Sequence, residues 1–258
     1  MTPIQRAGYL AHSNTTAYRR RVENSVQLIL GHPNLCVSAS WGKDSNVMLH
    51  LISATLRRPI IAVHGRYPDD DRAPDMDAVA EAAIAACPYP VTVIDIPVPG
   101  EREMFRRVGH AWTDAFTAEE REAERWWAES FAAGMADGLK QAGCAGSFIG
   151  MRADESHARR MNIAKRGQCY SVASRDGELR VLPLAHWTGA DVWAYTVGNG
   201  LPWLRMYEYG ENRDRARSDF TLAVGGGALA RHGVFETYRQ AYPDWWRSLV
   251  AEFPEIAA

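Results

Sequence analysis

Apolar and polar positions in the first hundred residues follow two alternating periods. Short apolar runs are typical of buried strands, and apolar positions three or four residues apart are typical of helices. The pattern predicts strands at residues 35–39, 59–64 and 91–96 and helices at residues 14–30, 46–52 and 75–87. Because parallel strands need long crossover connections, which helices supply, this alternation predicts an α/β fold with a doubly wound, mostly parallel sheet.

After residue 100 the alternation of short strands and helices is interrupted. Residues 101–142 are charged and aromatic, and they predict one or two helices that form an insertion covering the sheet. The sheet is expected to resume at 147–149 and at 180–182, before a helix at 191–195.

A loop rich in Arg and Gly and an aromatic helix near residues 234–250 are predicted for the end of the chain. We therefore divide the chain into an α/β domain over residues 1–205, which is expected to bind a nucleotide at residues 40–45, and a C-terminal loop and helix over 206–258 that pack on the same domain.

Composition narrows the class of protein. The chain has 258 residues, 29 Lys plus Arg against 31 Asp plus Glu, and a net charge of -2, which does not indicate a polycation that coats nucleic acid. The sequence shows no segment of signal-peptide type, and no apolar run approaches the roughly 20 residues that are needed to cross a bilayer. We therefore expect a cytoplasmic protein without a membrane partner.

Four cysteines are scattered along the chain at positions 36, 87, 144 and 169. Because no CxxC pair occurs, the sequence predicts neither a zinc site nor an iron–sulfur cluster. Reduced, mostly buried thiols are expected, since free Cys is among the most buried residue types.

The strongest candidate for chemistry is the turn SWGKDS, residues 40–45, between the first strand and the helix after it. A helix N-terminus presents unpaired N–H groups and a positive dipole end, so it attracts anions. Gly42 allows close backbone approach, Ser40 and Ser45 offer hydroxyl groups, and Lys43 adds a charge for phosphate oxygens. Asp44 is interpreted either as a helix cap or as a Mg²⁺ ligand. The predicted nucleotide site also includes Ser38, Trp41 and His64.

A second motif, GMRADES, follows a predicted strand at residues 150–156. Arg forks bind phosphate or sulfate oxygens in a bidentate manner. With a helix starting near Asp154, the side chains of Ser156 and Arg159 face one ligand together. The predicted oxyanion-binding residues are Arg152, Glu155, Ser156, Arg159 and Arg160, and Gly150 joins Arg152 in the nucleotide site.

A third segment, LPLAHWTGADVW, covers residues 182–193. Thr188 is predicted to be the N-cap of a helix, with Asp191 at the capping-box position. Trp187 and Trp193 are interpreted as core aromatics rather than stacking platforms.

In combination, these three segments resemble the phosphoadenylyl-sulfate (PAPS) reductase and ATP sulfurylase small-subunit family, within the adenine nucleotide alpha-hydrolase-like superfamily of N-type ATP pyrophosphatases. Residues 40–45 are similar to the SGGKDS pyrophosphate loop, with Trp41 in place of the usual Gly. The resemblance covers residues 30–205 and implies an adenine nucleotide at the carboxyl ends of the parallel strands.

The resemblance implies a first hypothesis, in which ATP is cleaved between its α- and β-phosphates, an acceptor is adenylylated and pyrophosphate leaves. The catalytic residues would be Lys43, Asp44 and Arg152, with Mg²⁺ as the cofactor of ATP. Sulfate, another oxyanion or a sulfur-containing compound would be the acceptor.

Two alternatives stay open. PAPS reductases use a nucleophilic cysteine near the C-terminus, but no Cys follows Cys169, so a reductase of this kind would need an external thiol. The other alternative is a nucleotide sensor without catalysis. A protein partner or a homo-oligomer is compatible with each, whereas the acidic net charge does not indicate a nucleic-acid partner.

Three weaker features receive simpler interpretations. GGGALA at 225–230 is interpreted as a loop rather than a dinucleotide fingerprint. The alternating charges of Arg213–Arg217 predict a solvated loop, with a substrate-closing loop as the alternative. Asp69–Asp71 predicts an acidic surface turn after Pro68.

Overall fold

The computed structural model describes residues 1–111, 117–173, 177–209 and 237–257. The strands are β1 (Cys36–Ala39), β2 (Ile60–Arg66), β3 (Val91–Pro97), β4 (Gly146–Phe148), β5 (Cys169–Val172) and β6 (Glu178–Val181). The helices are α1 (Pro3–His12), α2 (Thr16–Leu30), α3 (Lys43–Leu56), α4 (Met76–Ala86), α5 (Glu101–Val108), α6 (Ala118–Gln141), α7 (His157–Arg166), α8 (Gly189–Gly198) and α9 (Pro243–Glu252). Short 3-10 turns occur at Asp69–Asp71, Arg205–Glu208 and Pro254–Ala257.

The strands form one sheet in the order β3-β2-β1-β4-β6-β5. Every neighbouring pair is parallel except β5 and β6, which are antiparallel. The chain therefore proceeds outward from β1 in one direction through β2 and β3, and in the other direction through β4 and β6. This confirms the predicted α/β class, and it creates a switch point between β1 and β4, where open α/β sheets bind ligands.

The central strands are buried because helices cover both faces of the sheet, as continuous apolar runs require in parallel sheets. Val37 of β1 lies in register between Ala62 of β2 and Phe148 of β4, and all three side chains are fully buried. Trp187 and Trp193 are 1% exposed, which confirms that both are core aromatics.

The predicted capping box of α8 is present. The Thr188 hydroxyl oxygen accepts the N–H of Asp191 at 3.2 Å, and the Asp191 carboxylate accepts the N–H of Thr188 at 2.6 Å. The N-cap of α2 is Thr15, whose hydroxyl accepts the N–H of Tyr18.

The insertion at 101–142 forms two helices, as predicted, and α6 packs on β2 and β3. Gly138 allows this close packing, because a Cβ at this position would lie 2.5 Å from a methyl group of Val63 and 2.7 Å from Ile96. The helix thereby covers one face of the sheet next to the switch point.

Several boundaries differ from the predictions. Helix α3 begins at Lys43 rather than at residue 46, so half of the SWGKDS loop lies in its first turn. Helix α7 begins at His157 rather than near Asp154, because Ser156 caps it by accepting the N–H of Arg159. Helix α1 and strand β5 are absent from the predicted elements, since their short polar sequences lack a clear apolar period.

The expectation of reduced, mostly buried cysteines is wrong. Cys36 and Cys144 form a disulfide with their Cα atoms 6.1 Å apart. They are 108 residues apart in sequence, but β1 and β4 are neighbours, and Cys144 lies two residues before β4. Of the two free thiols, Cys87 is half-buried and Cys169 is exposed.

The acidic turn at Asp69–Asp71 is also only partly as predicted. Asp69 is exposed, but Asp71 is 4% exposed and its carboxylate accepts the N–H of Arg102 at 2.8 Å. Burial raises the pKa of Asp71 to about 6. The insertion covers this residue, which local sequence does not reveal.

The predicted loops at Arg213–Arg217 and at 225–230 lie outside the described residues. In the part of the chain that the structure describes, no helix combines the length and the apolar character that membrane crossing requires.

Candidate active site

A cleft of about 220 Å³ opens at the carboxyl ends of β1 and β4, at the switch point of the sheet. Its volume lies below the roughly 300–1,000 Å³ of typical ligand pockets, so it encloses only part of a nucleotide-sized ligand. The lining residues are Ser38, Ser40, Asp44, Ser45, Phe131, Ile149, Gly150, Met151, Glu155 and Arg159.

One side of the cleft is the turn from β1 into α3. Gly42 is the N-cap of α3 and makes no side-chain capping bond, so the first amides of the helix are left to water or a ligand. The N–H of Ser40 donates to the Ser45 hydroxyl at 3.0 Å and closes the turn. Gly150 lies against it, since a Cβ there would be 3.4 Å from the Ser45 nitrogen.

The turn contains a non-glycine residue in a left-handed conformation, Trp41, with φ of 59°. Such a conformation costs roughly 1 kcal/mol for a side chain with a Cβ, but almost nothing for glycine. This explains the Gly that related loops usually carry here. The Trp41 side chain is 3% exposed, and its ring centroid lies 5.4 Å from that of His64.

Behind the turn, Asp44 lies between two cations. Its Oδ2 accepts from the Lys43 ammonium at 2.6 Å, and its Oδ1 accepts from the Arg152 guanidinium. Lys43 is 1% exposed and Arg152 is fully buried. Burial alone would raise the pKa of Asp44, but the charges of Lys43 and Arg152 outweigh it and lower that pKa. Asp44 is therefore an ionised carboxylate held between two buried basic side chains.

This arrangement determines what the three residues offer to a ligand. The Lys43 ammonium lies 5.1 Å from the centre of the Tyr207 ring, and neither Lys43 nor Arg152 lines the cleft. Both oxygens of Asp44 already accept charged hydrogen bonds, so this carboxylate fits Mg²⁺ poorly. Asp44 is the member of this cluster that lines the cleft.

The opposite side of the cleft is formed by the chain between β4 and α7. Glu155 accepts the N–H of Arg152 at 2.8 Å and also pairs with the guanidinium of Arg159. Asp154 contacts Arg152 at 3.5 Å and accepts the N–H of Gly189 at 3.0 Å, which joins this loop to α8. Arg159 is thus held at the cleft by a carboxylate that is itself fixed to the backbone.

The structure brings together one part of the predicted site residues and separates the rest. Those at the cleft are Ser38, Ser40, Asp44, Ser45, Gly150, Glu155 and Arg159. Those that do not line it are Trp41, Gly42, Lys43, His64, Arg152, Ser156 and Arg160.

His64 illustrates the second group. It is 3% exposed, and its Nδ1 lies 2.9 Å from the carbonyl oxygen of Ala39. Burial lowers its pKa, so the ring is neutral near pH 7. Arg160 is exposed on α7.

Three apolar lining residues were not predicted: Phe131, Ile149 and Met151. The last two flank Gly150, and the motif itself could have indicated them. Phe131 comes from α6, and its ring stacks between Tyr67 at 6.1 Å and Trp127 at 5.7 Å. No local pattern indicates that a residue of the insertion reaches the cleft.

Among the described residues, no group of three or more His, Cys, Asp or Glu side chains is placed to hold a metal ion.

With this geometry in hand, comparison with known proteins is informative. The model of the phosphoadenosine phosphosulfate reductase domain family matches residues 34–239, which is most of the chain. The chain belongs to this family. Its fold and its motifs at the cleft therefore have a common origin with those of PAPS reductases.

Among the curated relatives of this family member is the phosphoadenosine 5'-phosphosulfate reductase of Xanthomonas euvesicatoria pv. vesicatoria (strain 85-10). It is 26% identical over 183 residues, which cover 70% of this chain and 68% of the relative. The enzyme of the same name from Xanthomonas campestris pv. campestris (strain B100) is 26% identical over 205 residues, 78% of this chain and 76% of that one.

Two solved structures share the fold. The PAPS reductase from Candida auris, in a phosphate complex, superposes with a TM-score of 0.51 and 19% identity over 77% of this chain and 89% of that one. The U34-tRNA thiolase NcsA from Methanococcus maripaludis, with its [4Fe-4S] cluster, gives a TM-score of 0.54 and 13% identity over 93% of this chain and 80% of that one. At these identities the likeness concerns the fold alone.

Proposed function

We propose that this protein binds a sulfonucleotide of the PAPS class in the cleft and supports its reduction by a thiol from another molecule. The observation that carries the proposal is the position of Arg159 and the amino end of α3 on opposite sides of one cleft, at the switch point of the sheet. The names of the curated relatives support the choice of a sulfonucleotide.

The cleft suits an anionic phosphosulfate group. The turn from β1 into α3 offers backbone amides and the Ser40 and Ser45 hydroxyl groups, and Arg159 offers a guanidinium fork. Lys43 and Arg152 hold the Asp44 carboxylate in place at the edge of the cleft through charged hydrogen bonds. Phe131 provides an apolar surface for the remaining part of the nucleotide.

The proposed reaction follows from this placement. A thiolate attacks the sulfur of the sulfo group, a sulfur–sulfur bond forms, and the sulfur–oxygen bond to the phosphate breaks. The phosphate leaves as an anion, which the α3 amides and Arg159 stabilise. A second thiolate then attacks the thiol-derived sulfur, which releases sulfite and forms a disulfide.

The thiols must come from outside this chain. No cysteine of the described residues lines the cleft, and the four cysteines of the sequence are all described. Cys36 and Cys144 are bonded to each other, and burial raises the pKa of Cys87 to about 11, so this thiol is a poor nucleophile near pH 7. Cys169 does not line the cleft, and its thiol contacts His32 instead.

Sulfite release from PAPS with dithiothreitol or reduced thioredoxin tests this proposal. Arg159→Ala should lower kcat/KM by about 10²-fold, the typical loss when one anion-stabilising donor is removed. Arg160→Ala removes the neighbouring charge, which is exposed and does not line the cleft, and should leave the rate nearly unchanged. Equal losses in both variants, or no sulfite with either donor, would refute the proposal.

ATP cleavage between the α- and β-phosphates is the second candidate. The absence of a cysteine among the described lining residues favours it, because adenylyl transfer needs no protein nucleophile. Release of pyrophosphate from ATP in the presence of sulfate would establish it. A sensor would bind ATP or PAPS in calorimetry and turn over neither.

A further inference from the structure

A second group of reactive side chains lies away from the cleft, where β5 begins. Cys169 is exposed, and its Sγ lies 3.4 Å from Nε2 of His32. His32 follows α2 and is remote from Cys169 in sequence, so only the tertiary structure joins the two residues. The pair contains a nucleophile and a base within hydrogen-bond reach.

A backbone carbonyl orients the imidazole. Nδ1 of His32 lies 2.9 Å from the carbonyl oxygen of Leu28, and a carbonyl oxygen accepts hydrogen bonds but does not donate them. In the neutral ring, Nδ1 therefore carries the hydrogen, and the lone pair of Nε2 is directed toward the thiol of Cys169. This is the tautomer that a general base requires.

The pair is separate from the cleft because successive side chains of a strand point to opposite faces. Tyr170 packs toward α7, where its hydroxyl lies 3.5 Å from the Asn162 amide. Cys169, the preceding residue of β5, faces His32 at the end of α2. A role of Cys169 in the proposed reduction is thus not supported, and its reactivity needs another explanation.

We infer that Cys169 and His32 form a thiol-modification site that exchanges with small disulfides, of which oxidised glutathione is the probe. Nε2 of His32 takes the thiol proton, and the Cys169 thiolate attacks one sulfur of the disulfide. The bond between Cys169 and that sulfur forms, the disulfide bond of the reagent breaks, and the second sulfur leaves as a thiolate that takes up the proton. Cys169 is oxidised to a mixed disulfide, and the second sulfur of the reagent is reduced to a thiol.

The experiment measures the rate at which oxidised glutathione modifies each cysteine of the full chain, by mass spectrometry of its peptides. We expect Cys169 to react at least about tenfold faster than Cys87, whose thiol is half-buried. His32→Gln should slow the reaction of Cys169 by about tenfold. This is less than the roughly 10²–10⁴-fold rate enhancement that a general base contributes in an enzyme active site, because Cys169 is exposed to solvent. Cys169→Ser should abolish the fast reaction.

His186→Gln is the control, since it removes an exposed histidine outside both sites. It should leave the rate at Cys169 unchanged. Thermal unfolding of each variant checks that the fold is retained. An unchanged rate in His32→Gln, or equal rates for Cys169 and Cys87 in the native chain, would overturn the inference, and neither outcome depends on nucleotide binding.

Discussion

Trp41 allows a quantitative test of the phosphate loop, because two opposing effects meet at this residue. Its left-handed backbone, with φ of 59°, costs roughly 1 kcal/mol in a residue with a Cβ. Its side chain is 3% exposed, and truncation of a buried aromatic costs roughly 3–5 kcal/mol. Glycine relieves the first effect and loses the second, so Trp41→Gly should lower the free energy of unfolding by about 2–4 kcal/mol.

Trp41→Ala separates the two effects. It loses nearly the same side-chain contacts but keeps the left-handed cost, so it should be less stable than Trp41→Gly by about 1 kcal/mol. This reverses the order in ordinary helices, where glycine is less stable than alanine by roughly 0.5–1 kcal/mol. Urea unfolding of the two variants, monitored by circular dichroism, gives the difference directly.

The reasoning would be refuted by an alanine variant as stable as the glycine variant, or more stable. In that case the backbone at Trp41 would carry no conformational cost, and the usual glycine of related loops would need another explanation.

Two further stability predictions follow from the structure. Gly138→Ala should destabilise the protein by about 1–3 kcal/mol in urea unfolding, because its Cβ would lie 2.5 Å from Val63. The control is Gly8→Ala, which has open space around it and should be neutral or stabilising. Equal effects of the two substitutions would contradict the close packing of α6. The pKa of Asp71 rises from 3.8 to about 6 on folding, so the folded state holds this proton to higher pH and stability falls as pH rises through this range. Compared with Asp71→Asn, the native chain should lose about 3 kcal/mol as the pH rises from about 2.5 to about 7.5, at about 1.4 kcal/mol per pKa unit. Parallel pH profiles of the two proteins would exclude this cost.

Some residues of the candidate site could be predicted from neighbouring residues in the sequence, and others are placed by contacts with distant segments. Ser40, Ser45 and Gly150 could be placed from their motifs, because a strand followed at once by a helix presents the intervening turn at the sheet edge. The sequence did not indicate that Lys43 lies against Tyr207 or that Phe131 enters the cleft. Spacing along a chain gives the position of a residue, but side-chain direction depends on what packs around it.

By itself, the sequence determined the features that depend on neighbours in the chain. Apolar periodicity determined the order of most strands and helices, and the hydrogen bonds between Thr188 and Asp191 determined the start of α8. The tertiary structure decided the pairings between distant segments, among them the bond of Cys36 to Cys144 and the contact of Cys169 with His32. The physical reason is that a local hydrogen bond needs only the geometry of one turn. A contact across many residues exists only after the whole sheet has fixed which strands are neighbours.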